Sequence, residues 1–225
     1  MRRSATLLLL AGLAVSAVGK ALAAEAPRSR PTAVAGGHRV HSDAAADLEL
    51  VVDPAYRALP PLRFPIESMT DAERRVFVWT GARRRISRMV VIQFERVQAG
   101  SDFRFVFPST PPYRFGAQTY RSGAFVYDDA RAAGDAPLRE ASRTRALLVA
   151  HGYRPPRLWR TARLARVSHP RGLGEVIIFY MENADGEFGP GPLPGADEDG
   201  DLPLTGEARQ RLFDRLGAAV RVVRG

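Results

Sequence analysis

Cysteine is absent from this chain of 225 residues. Its absence removes disulfide frameworks, thiolate metal sites, cysteine nucleophiles and a lipid-modified N-terminal cysteine in one step. Lysine is nearly absent too: Lys20 is the only one, so the formal charge of +9 rests on arginine. Nucleic-acid binding is the reflex reading of such a balance, but apart from Arg2-Arg3 the arginines are spread from Arg28 to Arg224 rather than gathered into one tract. No nucleic-acid partner is expected. Also missing are a Gly-x-Gly-x-x-Gly fingerprint and a P-loop, which leaves nucleotide cofactors without support. No Gly-x-Ser-x-Gly elbow stands in the sequence either.

Long apolar runs are scarce. The one stretch of note, Ala5 to Val18, follows Arg2-Arg3 and precedes Lys20 and the small residues Ala21-Leu22-Ala23. That order is a cleavable export signal over residues 1–23, and the run is too short to span a bilayer well. The expectation is a periplasmic or secreted protein with no transmembrane segment after processing. Arg2-Arg3 leaves the general secretory and twin-arginine routes both open, with the former favoured. Processing removes three cations and no acid, leaving +6 of the +9.

Residues 24–46 are small, polar and aperiodic, and read as a flexible leader to a single domain over 47–225. His38 and His41 have zinc-compatible spacing there, but Gly36-Gly37 speaks against the helix that would align them.

Within the domain, LELVV (48–52), LRFPI (62–66, an edge strand because of its proline) and TYRSGAFVY (119–127) read as strands. Thr70 and Glu73 fit a capping box ahead of a strand at Val76–Trp79. The sequence predicts a hairpin of 88–97 with 102–107, Val97 pairing Asp102 and Phe94 facing Phe105. It predicts a second hairpin of 157–167 with 175–182, Arg166 opposite Val176 and Arg160 opposite Glu182 as a cross-strand ion pair.

LLVAHGYRPP (147–156) carries His151-Gly152, which in a hydrolase could begin an oxyanion loop. The apolar spacing upstream, Asp135 as N-cap, Pro137 in the first turn and Gly152 before Pro155-Pro156 make it the end of a helix over 136–151. A second helix follows Thr205, with Leu212, Leu216 and Ala219 as its apolar strip. The fold class expected is α+β: a curved antiparallel sheet of about six to eight strands built from hairpins, with the inserted and C-terminal helices packed on one face.

Two groups of residues carry candidate function. Arg160, Arg166 and Tyr180, with Glu182 beside them, share a strand face. If that face is open, planar guanidiniums next to a phenol would hold an anionic small molecule or an envelope polymer. In the loop 183–203, Asp197, Asp199 and Asp201 offer calcium the hard oxygens it prefers. Gly195 and Gly206 fall where an EF-hand needs its first acid and its closing glutamate, so no cofactor is the preferred reading. Catalytic groups are scattered: Ser122, Asp128 and His151 can be combined only arbitrarily, and Glu95, Glu175 and Glu182 form carboxylate pairs without motif support. The sequence therefore favours a non-catalytic ligand- or partner-binding protein of the cell envelope. The alternatives are an exported hydrolase with scattered active residues, or an accessory protein held to the envelope by basic charge.

Overall fold

A computed structural model of the protein describes residues 32–34, 36–106, 112–129, 140–189, 191, 193–197 and 201–224. The expected export signal, Asp135, Pro137 and Asp199 lie outside them.

The fold is α+β and mostly antiparallel. Four strands, β1 (Thr32–Val34), β2 (Gly37–His41), β3 (Glu49–Val52) and β13 (Val220–Arg224), form a small sheet in the order β1-β2-β3-β13. A nine-stranded sheet takes the rest. Its centre is β9 (Gln118–Asp128), β10 (Leu158–Val167), β11 (Gly174–Asn183), β7 (Ile86–Val97) and β6 (Thr70–Thr80), paired in that order. The short strands β4 (Arg57–Ala58) and β5 (Leu62–Ile66) lie on β6, and β8 (Tyr113–Phe115) and β12 (Leu202–Pro203) on β9. Helix α1 (Glu140–Ala150) is inserted between β9 and β10, and α2 (Gly206–Ala219) leads directly into β13.

Side chains alternate across the large sheet, and both of its faces are covered. On one face Ile92, Phe94, Ala162, Leu164, Val176 and Ile178 meet Leu212, Phe213 and Leu216 of α2 and Val40, Leu50 and Val52 of the small sheet. On the other, Val76, Met89, Val91 and Trp159 meet Leu148 of α1 and Tyr153 beyond it. The helices, expected on one face, take opposite ones.

The hairpin of β10 and β11 has the anticipated register, with Arg166 opposite Val176 and Arg160 opposite Glu182. The ion pair expected there does not form. The helix α2 brings Arg215 to Glu182, and Arg160 turns to Glu187 instead. The expected hairpin of 88–97 with 102–107 is replaced altogether. Strand β7 already has β6 on one edge and β11 on the other. Phe94 thus sits opposite Glu73 and Val176 rather than Phe105. Residues 102–106 are not a strand; Phe105 N–H donates to Gly172 O at 2.9 Å and its ring meets Phe103 edge-on. The capping box is likewise overridden: Thr70 and Glu73 lie inside β6, where Thr70 Oγ1 donates to Glu95 at 3.1 Å.

His151 and Gly152 do end a helix. His151 N–H donates to Leu147 O, Gly152 N–H to Val149 O, and Tyr153 N–H to Leu148 O, with Gly152 at φ +73°. This is a glycine C-cap in which the reversed bonds satisfy the last carbonyls. The ordered fold also begins within the stretch expected as leader, because residues 37–41 form β2, and His38 Nε2 lies 2.6 Å from Tyr56 O.

Candidate functional site: a mostly apolar cavity beneath α1

The arginine–tyrosine face expected to bind ligand is the one that α2 and the small sheet cover. Tyr180 is 1% exposed, and its hydroxyl donates to Glu182 Oε1 at 2.6 Å. Arg166 reaches Asp47 at 3.0 Å and Gln118 at 3.2 Å, at the other end of β10 from Arg160. These residues are not brought together around a common space. Asp197 and Asp201 close a turn on each other: Asp197 Oδ1 accepts Asp201 N–H at 2.9 Å, and Asp197 N–H donates to Asp201 O at 2.8 Å. The serine, aspartate and histidine of the arbitrary triad are also apart. Ser122 Oγ accepts Arg209 of α2 at 2.7 Å, while His151 stands exposed past the end of α1, which covers the opposite face.

The cavity lies on that opposite face, between the sheet and α1, and measures about 410 Å3. It is built where polarity changes along four strands of the sheet, at a level that differs from strand to strand. Along β7 the residues facing α1 read Met89, Val91, Gln93, Glu95, and along β11 Met181, Phe179, Ile177, Glu175. Along β10 they read Trp159, Thr161, Arg163, and along β6 Val78, Val76, Arg74. The boundary is stepped: Gln93 lies beside Arg74 but opposite Ile177, Glu95 lies opposite Glu175, and Thr161 and Arg163 lie opposite Met181 and Phe179. The cavity straddles the boundary. Phe125, Trp159, Phe179 and Met181 line its apolar part, and Thr161, Arg163, Arg74 and Glu140 line its polar end.

Helix α1 is anchored over the polar end by a buried network. Arg74 donates to Gln93 Oε1 at 2.5 Å, to Thr144 Oγ1 at 2.7 Å and to Glu140 O at 2.9 Å, and it pairs with the Glu140 carboxylate. Gln93 Nε2 donates in turn to Glu95 at 2.6 Å and to Glu140 at 2.8 Å. Burial lowers the pKa of Arg74 and raises that of Glu95. Every polar group of this network has a partner, as a buried network requires.

Two groups next to it do not. Thr161 is 1% exposed and lines the cavity, yet its hydroxyl has no hydrogen-bond partner among the described residues. Glu175 is 5% exposed; among the described residues its Oε1 accepts no hydrogen bond, and Arg163 Nη2 lies 4.0 Å from it. Burial first, and then the Glu95 carboxylate directly opposite, push the Glu175 pKa up to about 8. The raised pKa weakens the Glu175 side of its pairing with Arg163, which also feels the Glu140 and Glu95 carboxylates. The arrangement offers an apolar body, an unused hydroxyl and a cation at one end.

The sequence reading did not single out Thr161, Arg163 or Arg74. The available signal was the break in alternation itself: Gln93, Arg74 and Glu175 on strand positions whose neighbours two residues along are Val91, Val76 and Ile177. Comparison with protein-family models, with curated proteins and with solved structures finds no match to this chain.

Proposed function

We propose that the protein is an exported, non-catalytic binding protein of the cell envelope. Its ligand is a small amphipathic acid, with the apolar body against Trp159, Phe179 and Met181 and the carboxylate at Arg163 and Thr161. The observation that carries this reading is the cavity of about 410 Å3 with, at one end, a buried hydroxyl that has no partner among the described residues and the Arg163 guanidinium, held by Glu175 only at 4.0 Å. Its size is within the range of small-molecule sites, and mostly apolar walls with a few placed polar groups are what such sites use for affinity and orientation. An arginine fork is the natural partner of a carboxylate. Export rests on the basic start, apolar stretch and small-residue end of residues 1–23.

The hydrolase reading draws on one observation, the cross-strand neighbours Glu95 and Glu175. Both Glu95 oxygens are occupied by Gln93 and Thr70, and neither carboxylate lines the cavity, so binding is the better account.

Calorimetric titration of the processed protein with octanoate, and with octanol as its neutral counterpart, tests the proposal. Octanoate is expected to bind at one site and more tightly than octanol, and Arg163→Met to erase that preference while the melting temperature holds. No saturable octanoate binding would remove the cavity reading, and an unchanged preference in the variant would remove Arg163 as the head-group partner. N-terminal sequencing of protein recovered outside the cytoplasm is expected to begin near Ala24; an intact Met1 there would end the export proposal.

A further inference from the structure

The hairpin joining β6 to β7 turns on three consecutive arginines, Arg83-Arg84-Arg85. The loop after α1 lays Arg154 against it: Arg154 N–H donates to Arg84 O and Ile86 N–H donates to Arg154 O, both at 3.1 Å. Between these two segments is a second cavity of about 430 Å3, lined by Ala82, Arg83, Arg85, Arg154 and Pro155. It shares no lining residue with the cavity beneath α1.

The four arginines are not equivalent. Arg84 leaves the pocket, stacking 4.6 Å over the Tyr153 ring and donating to His151 O at 2.6 Å. Arg85 is held by Asp185 Oδ2 at 2.7 Å, and the other oxygen of Asp185 is fixed by the N–H groups of Arg157 and Leu158 at 2.8 and 3.0 Å. Arg83 and Arg154 have no side-chain partner among the described residues. Among the described residues no carboxylate lines the pocket, so the charges of Arg83 and Arg154 meet there without compensation.

We propose that this pocket binds a phosphate-bearing anion through the guanidiniums of Arg83 and Arg154, with Arg85 as a third donor positioned by Asp185. Two unmatched cations suit a dianion, and guanidinium forks fit the oxygen geometry of a phosphoryl group. Only Ala82 and Pro155 offer apolar surface, so the pocket recognises the charged group itself rather than an attached hydrocarbon. The same chemistry is presented by a soluble phosphate ester and by a phosphomonoester lipid headgroup.

Arg83 also has φ +54°, in the left-handed region where glycine is the least strained residue. The turn at Glu67 and Ser68 shares that feature, so strain is no sign of function by itself. It does make Arg83→Gly a useful variant, because the substitution relaxes the backbone while deleting the guanidinium.

The test is calorimetric titration of the full chain with inorganic pyrophosphate, alongside sedimentation with phosphatidylcholine vesicles with and without phosphatidic acid. The double variant Arg83→Gly, Arg154→Ala is compared, with the single Arg154→Ala read in its place should the double variant melt lower than the parent. Saturable binding of either probe, weakened at least about tenfold in the variant, supports the site. A response to pyrophosphate alone identifies a soluble ligand; a response to phosphatidic acid vesicles alone identifies a headgroup. Binding of neither probe, or equal binding by parent and variant, overturns the proposal.

Discussion

Glu175 is where a single side chain has the widest consequences. Its pKa is pushed up to about 8 in the folded protein, against the ordinary carboxyl value of 4.5. Between those two pH values the folded chain holds a proton that the unfolded chain releases, so stability falls as pH rises. The contribution is complete below about pH 4.5 and lost by the time pH passes about 8. Melting temperature is therefore expected to decline from pH 5 to pH 8.5, and Glu175→Gln to flatten that decline by at least about 3 °C, as followed by circular dichroism. The same ionisation gives Arg163 its partner. Octanoate binding is expected to weaken above pH 8 in the parent and to stay level in Glu175→Gln. A steeper pH dependence in the variant would contradict the assignment.

At the scale of elements, the sequence was readable where local signals and tertiary partners agree. Both helices stand where apolar spacing placed them, and α1 stops at Gly152 because that residue supplies the positive φ the cap needs. The space around Gly152 is ordinary, with Arg84 the nearest side chain at 3.6 Å, so Gly152→Ala tests conformation rather than crowding. A cost of about 1–2 kcal/mol in urea unfolding is expected, with no change in the dependence on denaturant. The hairpin of β10 and β11 was legible to the residue because apolar alternation and opposite charges specify one register. The pairing of 88–97 with 102–107 satisfied the same criteria and was still displaced. Alternation says which residues share a face, but not which of several apolar strands will occupy an edge. The true partner β6 was obscured because its turn carries Arg83 and Arg84, not glycine or asparagine, at positive φ. The candidate site suffered from the same gap. Strand parity puts Arg163 on the opposite face from Arg160, but its position near Glu175 depends on registers that only long-range pairing sets.

For the molecule as a whole, the decisive join is between the small sheet and the large one. Strand β3 is flanked by β2 and by β13, and Leu50, Val52 and Val220 are fully buried against α2 and the large sheet. Removing Val220–Arg224 takes away the β13 ladder and the burial of Val220. The expected cost exceeds about 3 kcal/mol, combining one buried valine with several backbone hydrogen bonds. Thermal unfolding of the truncated chain checks this; a loss below about 1 kcal/mol would mean that β3 does not depend on its later neighbour.

That late neighbour also sets a timetable. Arg221 donates to the carbonyl of Gly36, 185 residues earlier, so β2 and β3 leave the ribosome well before the β13 that flanks β3. During the wait Leu50 and Val52 have no lasting cover and β3 has one bare edge, the kind of surface that holdases grip and that neighbouring nascent chains can zip onto. Yield in cells should accordingly depend more on chaperone supply during synthesis than on how stable the finished molecule is.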